Sequence, residues 1–260
     1  MIRNILYGTN PIVFHAHSHY PRQRHWPKIR EHFFNSQERS LTACSDVTIV
    51  TCNNGHSAMG LFEDSLAHFG LDCVVKGQGI ENWINSEHKP PLILEAAAET
   101  TTPYLLYVDS RDAILMDDPA ILVERYEAHF RDYDMVFSSD LLSWPTVSEF
   151  TRFERQLPGA ADTEFKYLNG GVWMGRTDFC REFWERAVQT PPVENRKDSE
   201  QGILRRVFQE FVPRVTMDYR CSMFQNIGFV EKPIFEFLST GRNTLDEVEE
   251  NEAVLQSADR

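Results

Sequence analysis

Two acids stand directly behind an apolar run. The stretch LLYVDSRDAIL, Leu105 to Leu115, sets Asp109 and Asp112 three positions apart with Arg111 between them, then turns apolar again. Carboxylate oxygens are hard ligands that suit Mg²⁺ or Mn²⁺, and two of them on one turn leave coordination positions open for phosphate oxygens and water. A solvated turn with a helix cap uses the same spacing. The strand-like run in front of the pair favours the metal reading, because a buried strand that ends in acids puts charge at the mouth of a sheet, where a cation offsets their repulsion.

Three other stretches carry residue types that do chemistry. FHAHSH spaces His15, His17 and His19 by two, so on a strand all three face one side; one imidazole would complete a metal shell begun by carboxylates, and an exposed polar edge is the plain alternative. YLNGGVWMG sets Gly170 and Gly171 before an apolar strand, which either lets backbone approach a ligand or makes a bulge. KDSEQGILRRVF opens an amphipathic helix through Ile203, Leu204, Val207 and Phe208 with Asp198 and Glu200, placed for capping or for catalysis.

The elements that must position these groups alternate in type. VTIVTC (Val47 to Cys52) reads as a strand, and Met59, Phe62, Leu66 and Phe69 lie at helical spacing from Ala58 until Gly70 stops them. Leu71 to Gly77 and Tyr104 to Val108 read as strands, Pro91 to Thr100 and Pro119 to Phe130 as helices, and Asp134 to Ser139 as a strand. This order predicts an α/β fold with a mainly parallel sheet covered by helices, whose ligands sit beyond the carboxyl ends of the strands.

Composition limits the function classes. At 42% hydrophobic and 12% aromatic residues the 260-residue chain can bury a full core, and so is not a disordered one. A net charge of -13 without a dense basic cluster opposes nucleic acid and anionic lipid as partners. Neither a basic, apolar leader nor an apolar run of membrane length is present, and the five cysteines are odd in number and widely spaced. The expectation is a soluble cytoplasmic protein with reduced thiols.

Taken together, TIVTCN, KGQGIENW, PYLLYVDSRDAIL, MVFSSDLLSWP, YLNGGVWMG, DSEQGILRRVF and MDYRCSMFQN resemble, in order, the metal-dependent glycosyltransferase domain of procollagen lysyl hydroxylases and its microbial and viral relatives. The resemblance runs from about Thr48 to Asn226. It implies a GT-A (nucleotide-diphospho-sugar transferase) fold, Mn²⁺ or Mg²⁺, and a UDP-sugar donor. In that family the domain closes with a strand that carries a metal-binding histidine, yet this chain has no histidine after His129. RNILYGTNPIVFH, Arg3 to His15, is similar to that closing strand but stands at the front. The chain thus looks circularly permuted, a rearrangement open to domains whose ends lie close together. The single domain then divides into a closing strand (1–20), a connection (21–45) with a helix through Ile29, Phe33 and Phe34, a core (46–240) and an acidic tail (241–260) that includes a surface helix from Leu245.

What the resemblance implies for single residues follows from the matched motifs. His15 joins Asp109 and Asp112 on the metal. Thr51 lies against the uridine, Trp83 walls the nucleotide pocket, and Lys89 neutralises a diphosphate oxygen. Asp140 and Trp144 flank the sugar, while Asn169, Gly170 and Gly171 line it. Asp198 and Glu200 form an acidic cluster at the reacting centre, with Glu200 where the family more often has Asp. Gln225 and Asn226 close the matched region. The function implied is transfer of a hexose, glucose or galactose, to a hydroxyl on a glycan, protein or small-molecule acceptor. Two alternatives stand beside it: a metal hydrolase built on His15, His17 and His19, and a UDP-sugar-binding module without turnover.

Overall fold

A computed structural model describes residues 1–17, 25–35, 46–57 and 59–238. Its spine is a six-stranded sheet formed by β3 (Val47–Cys52), β4 (Val74–Lys76), β5 (Tyr104–Val108), β7 (Met135–Asp140), β8 (Tyr167–Arg176) and β9 (Val215–Asp218), in the order β4-β3-β5-β8-β7-β9. Neighbours run parallel except at β8, which is antiparallel to both β5 and β7. The start of β8 therefore lies at the same edge as the ends of β5 and β7. Mixed α/β architecture with a mostly parallel central sheet follows, as the alternation of elements predicts.

Strand β5 shows why the sheet is buried on both faces. Leu105 and Tyr107 point into one core, against Ile93 and Ala96 of α3 (Asn85–Glu99), Phe183 and Trp184 of α6 (Thr177–Gln189) and Leu204 and Phe208 of α7 (Gln201–Phe211). Leu106 and Val108 point into the other, against Phe62 and Leu66 of α2 (Leu61–Phe69) and Ile121 and Leu122 of α4 (Pro119–Arg125). Period-2 alternation in an all-apolar strand feeds both layers.

The second core is closed by the chain's own beginning. Strand β2 (Val13–His15) lies between β6 (Ala113–Leu115) and β10 (Phe224–Asn226), antiparallel to the first and parallel to the second. Val13 and Phe14 are fully buried there. Strand β1 (Ile2–Asn4) pairs with β11 (Phe235–Phe237) near the other end of the described chain. Of the connection, α1 (Trp26–Asn35) is described; it buries Ile29 and Phe33 and leaves Phe34 exposed. The acidic tail, His19 and Cys44 lie outside the described residues.

Three expectations require correction. Helix α3 starts at Asn85 rather than Pro91 and carries Pro90 and Pro91 inside it. Its early turn is held from outside, since Ser86 N donates to Asp198 O at 3.3 Å and Ser86 Oγ donates to Lys197 O; tertiary bonds override the local proline signal. Strand β2 stops at His15, so His17 lies beyond the strand, although its ring still comes within 5.6 Å of that of His15. The helix expected over 119–130 is α-helical to Arg125 and widens into a π-helical turn over Tyr126–Phe130. Gly70, by contrast, closes α2 in the left-handed conformation as its position predicts.

Candidate active site

His15 Nε2 lies 3.7 Å from Asp109 Oδ2 and 3.5 Å from Asp112 Oδ1. The register of β2 against β6 places it there: His15 is opposite Ala113, and Ala16 N donates to Asp112 O at 2.6 Å. Asp109 is fixed from the other side, its backbone N donating to Gly171 O at 2.7 Å. Asn226 Nδ2 donates to Ser139 O, which turns its Oδ1 toward His15 Nδ1 at 2.7 Å. When the ring is neutral, Nδ1 is thereby the nitrogen that keeps its proton, and Nε2 is aimed between the carboxylates.

That Nε2 is buried and without a hydrogen bond, a costly arrangement unless something else uses it. Imidazole and two carboxylates also form a group whose ligand atoms all lie within 4.8 Å of one another, so the donor set and its spacing fit a divalent cation such as Mn²⁺ or Mg²⁺. Burial alone would lower the pKa of His15, but the nearby carboxylates of Asp112 and Asp109, together with the bond to Asn226, raise it to about 9. At neutral pH without metal, an imidazolium stands where the cation would.

Beside the acids opens a cleft of about 300 Å³ lined by Cys52, Asn53, Asn54, Trp83, Lys89 and residues 109–112, among others. Trp83 stacks on His88 with centroids 5.3 Å apart and forms one wall. Lys89 Nζ donates to Asp109 Oδ1 at 2.8 Å and to Glu200 Oε1 at 2.7 Å. Burial would lower its pKa, yet the two carboxylates raise it, so the ammonium is held charged. Tyr107 OH adds a third bond, 2.8 Å to Asp109 Oδ1. Thr51 is fully buried and donates its hydroxyl to Val108 O at 2.6 Å, so it supports the Asp109 turn from behind. Burial pushes the Cys52 thiol up to about 12, which leaves it protonated rather than nucleophilic.

On the other side of Asp109, along the same sheet edge, lie Gly171, Asn169 and Asp140. Strand β8 bulges against β7, pairing Trp173 with Phe137 but Asn169 with the next residue, Ser138. The Gly-Gly pair thus makes both a bulge and a close approach: a Cβ on Gly171 would stand 2.2 Å from His15 Cε1, and one on Gly170 would stand 2.5 Å from Leu204 Cδ1. Asp140 is buried and receives Asn169 Nδ2 at 3.0 Å and Leu142 N at 3.2 Å. His17 Nε2 lies 2.7 Å from its Oδ2. Burial would raise the pKa of Asp140, but His17 and these hydrogen bonds hold it below the usual carboxylate range.

Trp144 sits on a loop held by α7. Gln201 Nε2 donates to Trp144 O at 2.7 Å, and its Oε1 accepts from Gly170 N at 3.2 Å. Arg205, wholly buried, makes a two-armed pair with Glu154 at 2.7 Å and also donates to Pro145 O and Ser143 Oγ. Glu200 does not cap α7 with its side chain, which faces Lys89 instead. Asp198 is exposed.

Sequence reasoning named His15, Asp109, Asp112, Lys89, Glu200, Trp83, Asn169, Gly170, Gly171 and Asp140, and the structure places these side by side along one sheet edge. That reasoning left Tyr107, Gln201 and Arg205 without roles and gave Asn226 no contact. Tyr107 had a findable signal, a phenol two residues before the first acid on a strand, hence on the same face. Arg205 had none: a charge on the apolar face of a helix names no partner.

The fold and this edge define a metal-competent pocket on an α/β sheet. Residues 44–255 match the family described as the PLOD GT domain, and the chain belongs to that family of glycosyltransferase domains. An "Uncharacterized protein R699" of Acanthamoeba polyphaga mimivirus is 30% identical over 121 residues, 46% of this chain and 24% of that one, so the match spans about a quarter of the viral protein's length. Among solved structures, glucosyl-3-phosphoglycerate synthase of Mycobacterium tuberculosis with Mn²⁺, UDP-glucose and phosphoglyceric acid is 11% identical, covering 81% of this chain and 78% of that chain at a TM-score of 0.35. Its complex with Mn²⁺, UDP and phosphoglyceric acid is 12% identical, covering 85% and 84% at a TM-score of 0.35. No helix among the described residues is long and apolar enough to cross a membrane.

Proposed function

We infer that this chain is a GT-A-type, Mn²⁺- or Mg²⁺-dependent transferase that moves a hexose, glucose or galactose, from a UDP-sugar to a hydroxyl acceptor. The observation that carries it is the buried, unbonded Nε2 of His15 facing Asp109 and Asp112 beside an open cleft. A diphosphate leaving group develops negative charge, and a bound divalent cation supplies the Lewis acid that stabilises it. The residues of the chain do the remaining work. Trp83, Asn53 and Asn54 border the space for the nucleoside. Lys89 holds Asp109 and Glu200 in fixed relation, and Glu200 or Asp198 orients the acceptor hydroxyl.

The same reading makes β2 the displaced closing strand of a permuted single domain. Two facts support it: the family match begins at residue 44, after β2, and yet β2 lies between β6 and β10 with His15 at the acids. The acceptor is a glycan, a protein or a small molecule. The four described cysteines are unpaired, which supports a reducing, cytoplasmic setting.

Calorimetric titration of UDP with and without Mn²⁺, followed by a screen of UDP-sugars for Mn²⁺-dependent hydrolysis, tests the reading. Tight UDP binding that requires Mn²⁺, and slow release of one hexose to water, are expected. Zinc-dependent hydrolysis without any response to UDP would favour the histidine-based hydrolase. Mn²⁺-dependent UDP binding with no donor cleavage would favour the binding module.

A further inference from the structure

His17 belongs to no part of the metal group, although its ring centroid is 5.6 Å from that of His15. The loop that follows β10 is built around it. A Cβ on Gly228 would stand 2.0 Å from His17 Nε2 and 2.1 Å from Cε1, and Phe229, with φ of 59°, brings its ring centroid to 6.0 Å. Nε2, Cε1 and Cδ2 are the ring atoms nearest Gly228, so Nδ1 lies on the far side. The His17 side chain is 22% exposed, whereas Asp140 behind it is 3% exposed. Both Asp140 oxygens already accept hydrogen bonds, Oδ1 from Leu142 N and Oδ2 from Asn169, and His17 Nε2 lies 2.7 Å from Oδ2.

The order of strands says what lies in front of that ring. Cys52 ends β3, Asp109 follows β5, Asn169 stands near the start of β8 and Asp140 ends β7, in sheet order β3-β5-β8-β7. In a UDP-sugar the diphosphate separates nucleoside from hexose. With the nucleoside in the cleft that begins at Cys52 and the diphosphate at the acids, the hexose extends toward β8 and β7, where among the described residues His17 offers an accessible polar group and Asp140 is covered.

We propose that His17 contacts the transferred hexose, its Nδ1 hydrogen-bonding a sugar hydroxyl while the buried Asp140, 2.7 Å from Nε2, positions the ring from behind. The proposal rests on the UDP-sugar reading above and adds to it a residue that selects the sugar.

Three variants separate the roles. Asparagine sets its amide oxygen near the position of Nδ1, and glutamine reaches the position of Nε2. UDP affinity in the presence of Mn²⁺ and hydrolysis of UDP-glucose and UDP-galactose are measured for wild type, His17→Ala, His17→Asn and His17→Gln. All three variants are expected to bind UDP within about twofold of wild type, with H17A losing at least about tenfold in kcat/KM for the preferred UDP-hexose and H17N retaining more than H17Q. Unchanged hexose turnover in H17A overturns the proposal. So does better rescue by glutamine than by asparagine, which makes His17 a prop for Asp140, and so does loss of UDP binding in all three, which makes it a structural residue. If wild type itself binds no UDP with Mn²⁺, the transferase reading fails first and the sugar role falls with it.

Discussion

The central sheet has a cavity at each end, and the smaller one holds the candidate site. At the end where β5 begins and β8 finishes, a cavity of about 450 Å³ is lined by Thr100–Pro103, Asp134 and Arg176–Phe179 with Arg181 and Arg214. It looks like an anion pocket until its arginines are followed individually. Arg181 donates to Ala97 O, Thr100 O and Asp178; Arg214 donates to Asp134 and Glu182; Arg176 donates to Arg131 O and lies against Glu127. At the opposite end, the cleft of about 300 Å³ borders two acids, which in turn face an imidazole whose Nε2 is buried without a hydrogen bond. Saturated charge holds the fold together, and unsatisfied polar atoms beside a cleft mark the place for a ligand.

That contrast can be broken at its strongest point. Asp112→Asn removes one of the two carboxylates in the metal group and is expected to lower Mn²⁺-dependent UDP-sugar hydrolysis by about 10³-fold, read by steady-state rates with the circular dichroism spectrum unchanged. Full activity in D112N would remove the metal assignment. The converse experiment strikes saturated charge: Arg205→Met leaves Glu154 buried and alone, with an expected loss of about 3–5 kcal/mol in urea unfolding. Replacing both partners by apolar residues should restore most of that loss, because no orphan charge is left.

Proton competition sharpens the comparison next. The His15 pKa of about 9 lies above neutral pH, so below that value Mn²⁺ must displace a proton. Affinity for Mn²⁺ is expected to rise about tenfold per pH unit from neutral pH to near 9 and then level off, with matching proton release in buffers of different ionisation enthalpy. A flat profile would place the metal elsewhere. A Cβ at Gly171 would intrude on the His15 ring, so Gly171→Ala should weaken Mn²⁺ binding by about tenfold and cost about 1–3 kcal/mol of stability. The smallest effect belongs to the larger cavity. Arg214→Ala removes exposed pairs and should cost less than about 1 kcal/mol, with UDP binding unchanged; a loss of UDP binding would show that the two ends are coupled.

Much of this arrangement is legible in the sequence. Strand β5 and the acids after it, the αL stop at Gly70 and the order of ordered motifs are local or sequential properties, written in short windows of chemistry. The start of α3 was not legible, because a helix turn ahead of two prolines is held by Lys197 and Asp198, more than a hundred residues away. The partner of His17 was not legible either: once β2 ends at His15, alternation no longer says where the next histidine points.

By itself the sequence determined which groups are present and which of them stand beside one another along the chain: acids behind a strand, glycines at a bulge, and a histidine on an N-terminal strand. Only the tertiary structure decided which charges meet. Asp109 and Glu200 share Lys89, Arg205 is given to Glu154, and His15 rather than His17 reaches the acids. The reason is physical: periodicity specifies the face on which a side chain lies, but hydrogen bonds and ion pairs act over about 3 Å, and only strand order and register bring distant residues within that reach.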